Sequence, residues 1–381
     1  MAAWVPPEDM TAADIVDLLG AEIAGMYADA EIRLLQAIKL EVKDSLRRHR
    51  AEQMLVRVEE MRRAAQQIVQ ELQQLTPEAV DRVIESAVAG GAQAAIQQLS
   101  LLQTATDITV ATMGLPGVMA ANLIKADLTS RLERLHSRIL RYPDDIYQKV
   151  VGKHATDAVL GLATNKQTQQ KIWRDFLSQG VNGFIDVSGR RWNLATYTEM
   201  ATRTAVMRSY DDAHNAQLQQ LGQDLVTPVV SYDACKRCAA WAGKILSISG
   251  LPGVREMQHQ TQDGVFIRVN VDNTVDGARA EGFKHPNCVC VLAAYFPGLS
   301  IPMDSPGYDE EAEQAREDLR AAERSVRKAK RDLALAFDDF EETEARRDLA
   351  KARQKIQEIV KNTPQLRKRY REQLDLGHKL D

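Results

Sequence analysis

Two short cysteine clamps constrain this chain more than any other feature. One is Cys235-Lys236-Arg237-Cys238 and the other is His285-Pro286-Asn287-Cys288-Val289-Cys290, and together they hold all 4 cysteines of the 381 residues. Zinc takes four tetrahedral ligands, thiolates and imidazoles, commonly from two such knuckles. A shared ion would force two remote segments back onto one point and close everything between them into a module. Cys235, Cys238, Cys288, Cys290 and His285 are five candidate ligands for four positions. Structural zinc of this kind would add on the order of 10 kcal/mol to folding. Two disulfides, or unbonded thiols, remain open on spacing alone. A thioredoxin-type redox centre would leave the second clamp unexplained.

The compartment favours metal. The start, Met1-Ala-Ala-Trp4, lacks the charged and then apolar runs of a signal peptide. A chain made and kept in a reducing cytoplasm uses Cys-x-x-Cys for metal or redox chemistry rather than for a structural bridge. No stretch reaches the ~18 uninterrupted apolar residues of a membrane span. The nearest approach, 105–124, is broken by Asp107 and by Gly114 to Gly117 and reads as a buried or partner-covered segment. The net charge of -4 excludes a chain that seeks polyanions over its whole surface, so any contact with nucleic acid would be local.

The rest of the chain reads as mainly α, with a small α+β module that zinc would staple and long extended helices at both ends. Thr11 with Asp14 predicts the start of a helix that continues through Ile15, Leu19, Ile23, Tyr27, Leu35 and Ile38 toward residue 75 as one long helix or a hairpin. Thr76-Pro77 predicts a second helix start, with Gly90-Gly91 weakening its middle. Further helices are expected over 119–140, from Pro143 to Gly161, and over 165–180. Residues 183–192 read as two strands around a Ser-Gly turn, and Asn193 or Thr196 caps the next helix. Strands are expected at 226–232, after Trp241, at 265–270 and at 291–296, with 272–284 irregular. From Tyr308 a charged helical tail follows, bent at Asp338-Asp339 and stopped by Asn362-Thr363-Pro364. This gives an N-terminal helical region (1–130), a helical connector (131–180), the module (181–300) and the tail (308–381). The apolar stripes of the terminal helices are expected to need cover from partner subunits or from self-association.

Catalytic constellations are sparse. No phosphate loop, Gly-x-Ser-x-Gly or His-Glu-x-x-His occurs. His214 after Asp211-Asp212 could be an acid–base pair, but a solvated polar face is the ordinary reading. Arg203 and Arg208 read either as internal salt bridges or as contacts to DNA phosphate or a partner's carboxylate. Arg367, Lys368, Arg369 and Arg371 could touch DNA through a sequence-blind, salt-dependent attraction, or could complement a helix end. No small-molecule substrate and no membrane is expected.

Three segments resemble the phage minor capsid protein 2 group of tailed phages, related to the Mu F-like head morphogenesis proteins. They are Ser188 to Thr204, with its Ser-Gly-Arg turn and helix ending in Arg-Thr; Cys235 to Gly250, with Ala-Trp-Ala-Gly-Lys; and His285 to Gly298, with His-Pro-Asn-Cys. The charged tail also fits. The likeness covers roughly residues 130 to 375, and the first hundred match only in being helical. Many relatives carry a charged residue or histidine at Val289-Cys290, which puts the fourth ligand in doubt. The resemblance implies a low-copy virion component, made in the host cytoplasm and held at the portal or inside the head. Its partners would be the portal protein, inner capsid subunits and packaged DNA, and its role head assembly, DNA packaging or DNA ejection, without enzymatic activity. The rival expectation is an effector or nucleic-acid-acting enzyme delivered with the genome, which a cleft near His214 and Arg203 would favour.

Overall fold

The computed structural model describes residues 10–45, 51–100, 115–146, 173–174, 182–185, 191–302 and 307–366. Helix α1 (Ala12–Ser45) opens on a reciprocal cap. Thr11 Oγ1 accepts from the Asp14 amide at 3.3 Å, and Asp14 Oδ2 accepts from the Thr11 amide at 3.1 Å. Helix α2 (Ala51–Ser100) runs antiparallel to α1, since Arg33 reaches Glu71 while Arg82 reaches Glu22. Helix α3 (Leu115–Ile146) returns along α2, with Lys125 against Glu85 and Arg62 against Asp144. These exposed pairs are worth about 0–1 kcal/mol each and report register more than stability. The stability lies in side chains such as Ile23, Leu34, Leu35, Ile84 and Leu132, all fully buried, at about 1.5–3 kcal/mol apiece.

The helix start expected at Thr76-Pro77 does not form; α2 runs straight through Pro77. An interior proline costs about 3 kcal/mol, but Leu72, Ala79 and Val80 on the adjoining turns are buried in the helical core and hold the helix together. Thr76 is buried and lies 3.4 Å from Tyr27 Oη, which also meets His136 Nε2 at 2.8 Å, so three helices share one polar contact. Pro143 likewise falls within α3 instead of restarting a helix.

Helix α4 (Leu194–Gln220) starts where expected, with Asn193 Oδ1 accepting from the Thr196 amide at 2.7 Å. It is buried on nearly every side. Val206, Met207 and Tyr210 enter the helical core, while Leu218 enters the core of the module. At Gly91 the α2 backbone lies directly against α4, where a Cβ would overlap the Tyr210 carbonyl oxygen. The glycine expected to weaken α2 is what permits the approach.

Strands β1 (Asn182–Ile185) and β2 (Arg191–Asn193) pair antiparallel. Beyond α4 come β3 (Leu225–Val229), the short α5 (Lys236–Ala239), β4 (Leu246–Ser247), β5 (Gly253–Gln258), β6 (Phe266–Val271), β7 (Asn273–Thr274), α6 (Val275–Ala280) and β8 (Val291–Ala294). The main sheet has the order β7-β4-β3-β8, with β3 antiparallel to both neighbours and β4 parallel to β7. Strands β5 and β6 form a separate antiparallel ribbon. The sequence reading missed β5 and took α6 for irregular chain; Thr274 caps α6 by accepting from the Gly277 amide at 2.9 Å.

The tail is a helical hairpin of α7 (Glu310–Ala334) and α8 (Asp339–Asn362). Asp338 caps α8 by accepting from the Glu341 amide at 3.0 Å. Leu319, Ala322, Val326, Ala352 and Ile356 bury one another within the hairpin. Most apolar residues of α1 lie in the helical core. The chain thus covers most of both stripes expected to need a partner, while Leu18, Leu40 and Phe340 stay exposed. Among the described residues no helix is long and apolar enough to cross a membrane; residues 105–114 of the apolar segment lie outside them.

Candidate metal centre

Sheet topology brings the clamps together. In the β3–β8 ladder Val229 faces Val291. The chain leaving β3 and the chain entering β8 therefore meet at the same edge of the sheet. Cys235 and Cys238 follow the first, and Cys288 and Cys290 precede the second. Cys235 caps α5 and Cys238 lies within it, a single turn that sets both thiols on one side. Cys288 and Cys290, two apart on extended chain, both face the module core, while Val289 between them packs on the helical core.

The donors form two triads that share Cys238. Cys235, Cys238 and His285 make one and Cys238, Cys288 and Cys290 the other, each with ligand atoms within 4.8 Å of one another. Cys238 Sγ is 3.5 Å from Cys288 Sγ, and Cys235 Sγ is 3.0 Å from His285 Nε2. A tetrahedral ion with Zn–S near 2.3 Å sets its sulfurs roughly 3.8 Å apart, so small adjustments suffice. All four cysteines are free thiols. His285 Nδ1 donates to the Pro286 carbonyl at 2.9 Å, which leaves Nε2 as the lone-pair nitrogen facing Cys235. A metal-bound histidine is typically oriented by such a bond from its other nitrogen.

The thiols already share protons. Proximity to Cys238 holds Cys235 well below the ordinary thiol range, and does the same for Cys288. Cys238, as the shared donor, is pushed far up by its bonds to Cys235, Cys288 and Cys290. Thiols this close cannot all ionise without a cation among them, which is the electrostatic condition a metal ion satisfies. These residues could hold a metal ion.

Two supporting residues escaped the sequence reading. Lys284, just before His285, places Nζ 2.8 Å from Asp211 of α4 and also donates to the Cys290 carbonyl. Lys284 and Asn287 both adopt left-handed backbone, with φ of 59° and 65°. Asparagine tolerates this better than most residues. The Pro-Asn pair in the clamp was the one visible sign of a sharp turn there.

The other expected site residues scatter. Arg203 is 2 % exposed and its guanidinium pairs with Asp17 of α1, so it is spent inside the protein rather than offered at the surface. Arg208, by contrast, is exposed, with Asp212 3.8 Å away. Arg367, Lys368, Arg369 and Arg371 lie outside the described residues. His214 is buried against Gln98 Oε1 at 3.1 Å, and burial holds its pKa down at about 4. Asp211 turns instead to Lys284. His214 is thus a buried core histidine.

A family model described as phage minor capsid protein 2 matches residues 13–361. The chain belongs to this family. The match begins near the start of α1, so the N-terminal helices are part of the family pattern, beyond the region from about 130 onward where the sequence likeness was expected. Comparison with curated proteins and with solved structures returned no match. Membership of phage minor capsid protein 2 makes this a structural protein of the virion that meets other phage head proteins, and it argues against catalysis.

Proposed function

We propose that this minor capsid protein is a low-copy component of the portal vertex or the inner face of the head, where it serves head assembly and the packaging or delivery of DNA. The module is its rigid docking unit, stapled by zinc. We assign the ligands as Cys235, Cys238, His285 and Cys288, with Cys290 behind them. The carrying observation is the convergence of both clamps at the β3–β8 edge, with His285 Nε2 already turned toward Cys235. Three sulfurs and one nitrogen match a common structural zinc set. Cys290 is the spare because its strand position is fixed by β8 and by Lys284 on its carbonyl.

Cross-linking and mass spectrometry of intact particles tests the placement. Cross-links to portal or inner-face capsid peptides are expected. Cross-links confined to the outer capsid surface, or absence from the particle, would overturn it. Elemental analysis of the protein purified under reducing conditions should return one zinc per chain.

A further inference from the structure

Beside the metal centre, α4 and the His-Pro-Asn-Cys loop enclose a cleft of about 550 Å³, within the range of small-ligand and peptide sites. Its charged walls are Arg208, Arg237, Arg279 and Lys284 against Asp211. Two of these cations are committed. Lys284 pairs with Asp211, and Arg279 holds Asp212 at 2.7 Å. Arg208 is left with the far side of the same Asp212 carboxylate, at 3.8 Å. Arg237 stands exposed on α5, between the first two cysteines, and pairs with no carboxylate among the described residues. Two guanidiniums thus face one concavity with charge to spare.

The cleft does not end there. Thr204, Arg208 and Pro286 also line a second hollow of about 430 Å³ between α3 and α4. That hollow is walled by Leu123, Ile124, Leu128, Met200 and Ala205, together with Asp127 and Arg131, which pair at 2.8 Å, and with Asp212, which Arg279 neutralises; Leu123 is 71 % exposed. Cationic and apolar halves therefore form one continuous groove with Arg208 on the ridge. Asn287 also lines the cationic side, and its Oδ1 is buried without a hydrogen-bond partner among the described residues.

We infer that this groove docks an extended protein segment in which carboxylates alternate with apolar side chains, supplied by another head protein. The inference rests on the head-component reading above. A carboxylate would take the Arg208–Arg237 pair in charge-assisted bonds, and apolar residues would fill the α3–α4 hollow. A phosphodiester backbone would use the arginines alone and leave the apolar half unfilled. Arginine stays charged at all working pH, so binding should follow ionic strength.

The test uses the full zinc-loaded chain and two labelled probes, a short peptide of alternating leucine and glutamate and a short DNA duplex, read by fluorescence anisotropy. The peptide is expected to bind. Arg208→Gln with Arg237→Gln should weaken it about tenfold with thermal unfolding and zinc content unchanged, and Leu123→Ser should weaken it without altering its salt dependence. Binding of the duplex in preference to the peptide would overturn the inference, as would failure of both probes to bind or peptide binding indifferent to all three substitutions. None of these outcomes bears on where the protein sits in the particle, so the two readings fail separately.

Discussion

Replacing Cys238 by serine should empty the metal centre and unclamp β3 from β8. Cys238 is the donor shared by both triads and is 1 % exposed, so its loss breaks both triads at once. A ligand present at a thousandfold above its dissociation constant stabilises the folded state by about 4 kcal/mol. For a unit of about 100 residues each kcal/mol moves Tm by roughly 4–8 °C, so loss of zinc should lower the module's Tm by about 15–30 °C. The serine hydroxyl, left beside Trp241 and Phe283 in the module core, adds a further cost of about 1–3 kcal/mol if it finds no partner. Calorimetry with and without chelator separates the two contributions. Chelation should bring the wild type down toward Cys238→Ser and leave the variant unmoved. His285→Gln should also lose stoichiometric zinc, whereas Cys290→Ser should keep it; the reverse pattern would make the site an all-thiolate one. A reduced wild type that carries no metal, and whose Tm ignores both zinc and chelator, would refute the staple itself.

Gly91→Ala should destabilise the helical core, against the helix preference for alanine of about 1 kcal/mol. The new Cβ would overlap the Tyr210 carbonyl, and such overpacking costs about 1–3 kcal/mol, so a raised denaturant midpoint would contradict the packing described. Gln98→Leu should cost about 2–4 kcal/mol in urea unfolding, because Gln98 Oε1 accepts from the Ala294 amide at 2.8 Å and from His214 at 3.1 Å. His214 predicts acid sensitivity: burial lowers its pKa from the ordinary 6.5 to about 4, so the unfolded chain binds the proton first. Its contribution is fully present above pH 6.5 and is lost as pH falls through 4, amounting to about 3 kcal/mol. His214→Leu should flatten stability across that window relative to wild type, and an unchanged slope would refute the assignment.

What was legible in the sequence was local chemistry. Thr11 and Asn193 announced their helix starts because a cap involves a side chain and an amide three residues away, whereas Asp338 read only as a bend and in fact caps α8. Thr363-Pro364 stopped α8 for an equally local reason. The candidate metal donors were legible as residue types, and the structure brings them together. What stayed hidden was decided by remote neighbours. Arg203 and Arg208 sit on one helix and look alike in sequence; Asp17 and Gly20 of α1 bury the first and leave the second exposed. Pro77 read as a helix start because its local penalty is known and the burial that outweighs it is not. Strand β5 was missed because it pairs only with β6 and is half-exposed, so no continuous apolar run marks it. Lys284 looked like any surface lysine until α4 placed Asp211 beneath it.

Those remote contacts bear on how the metal centre acts. Strand β8 is held at three places of different chemistry. The clamp precedes it, Lys284 ties the loop before it to Asp211 on α4, and Gln98 of α2 accepts from Ala294 at its end. The clamp and the helical body thus grip the same four-residue strand from opposite ends. Zinc would stabilise the module and also fix the strand through which the module registers against α2 and α4. Such shared grips are not additive; perturbations coupled through one element interact by about 0.5–3 kcal/mol. Gln98→Leu should therefore cost more in chelated protein than in zinc-loaded protein, or less if chelation has already freed β8 from the helices. Equal costs in the two states, measured by urea unfolding, would mean that the metal centre and the helical body are energetically independent, and that the module is tethered to the helices without being oriented by them.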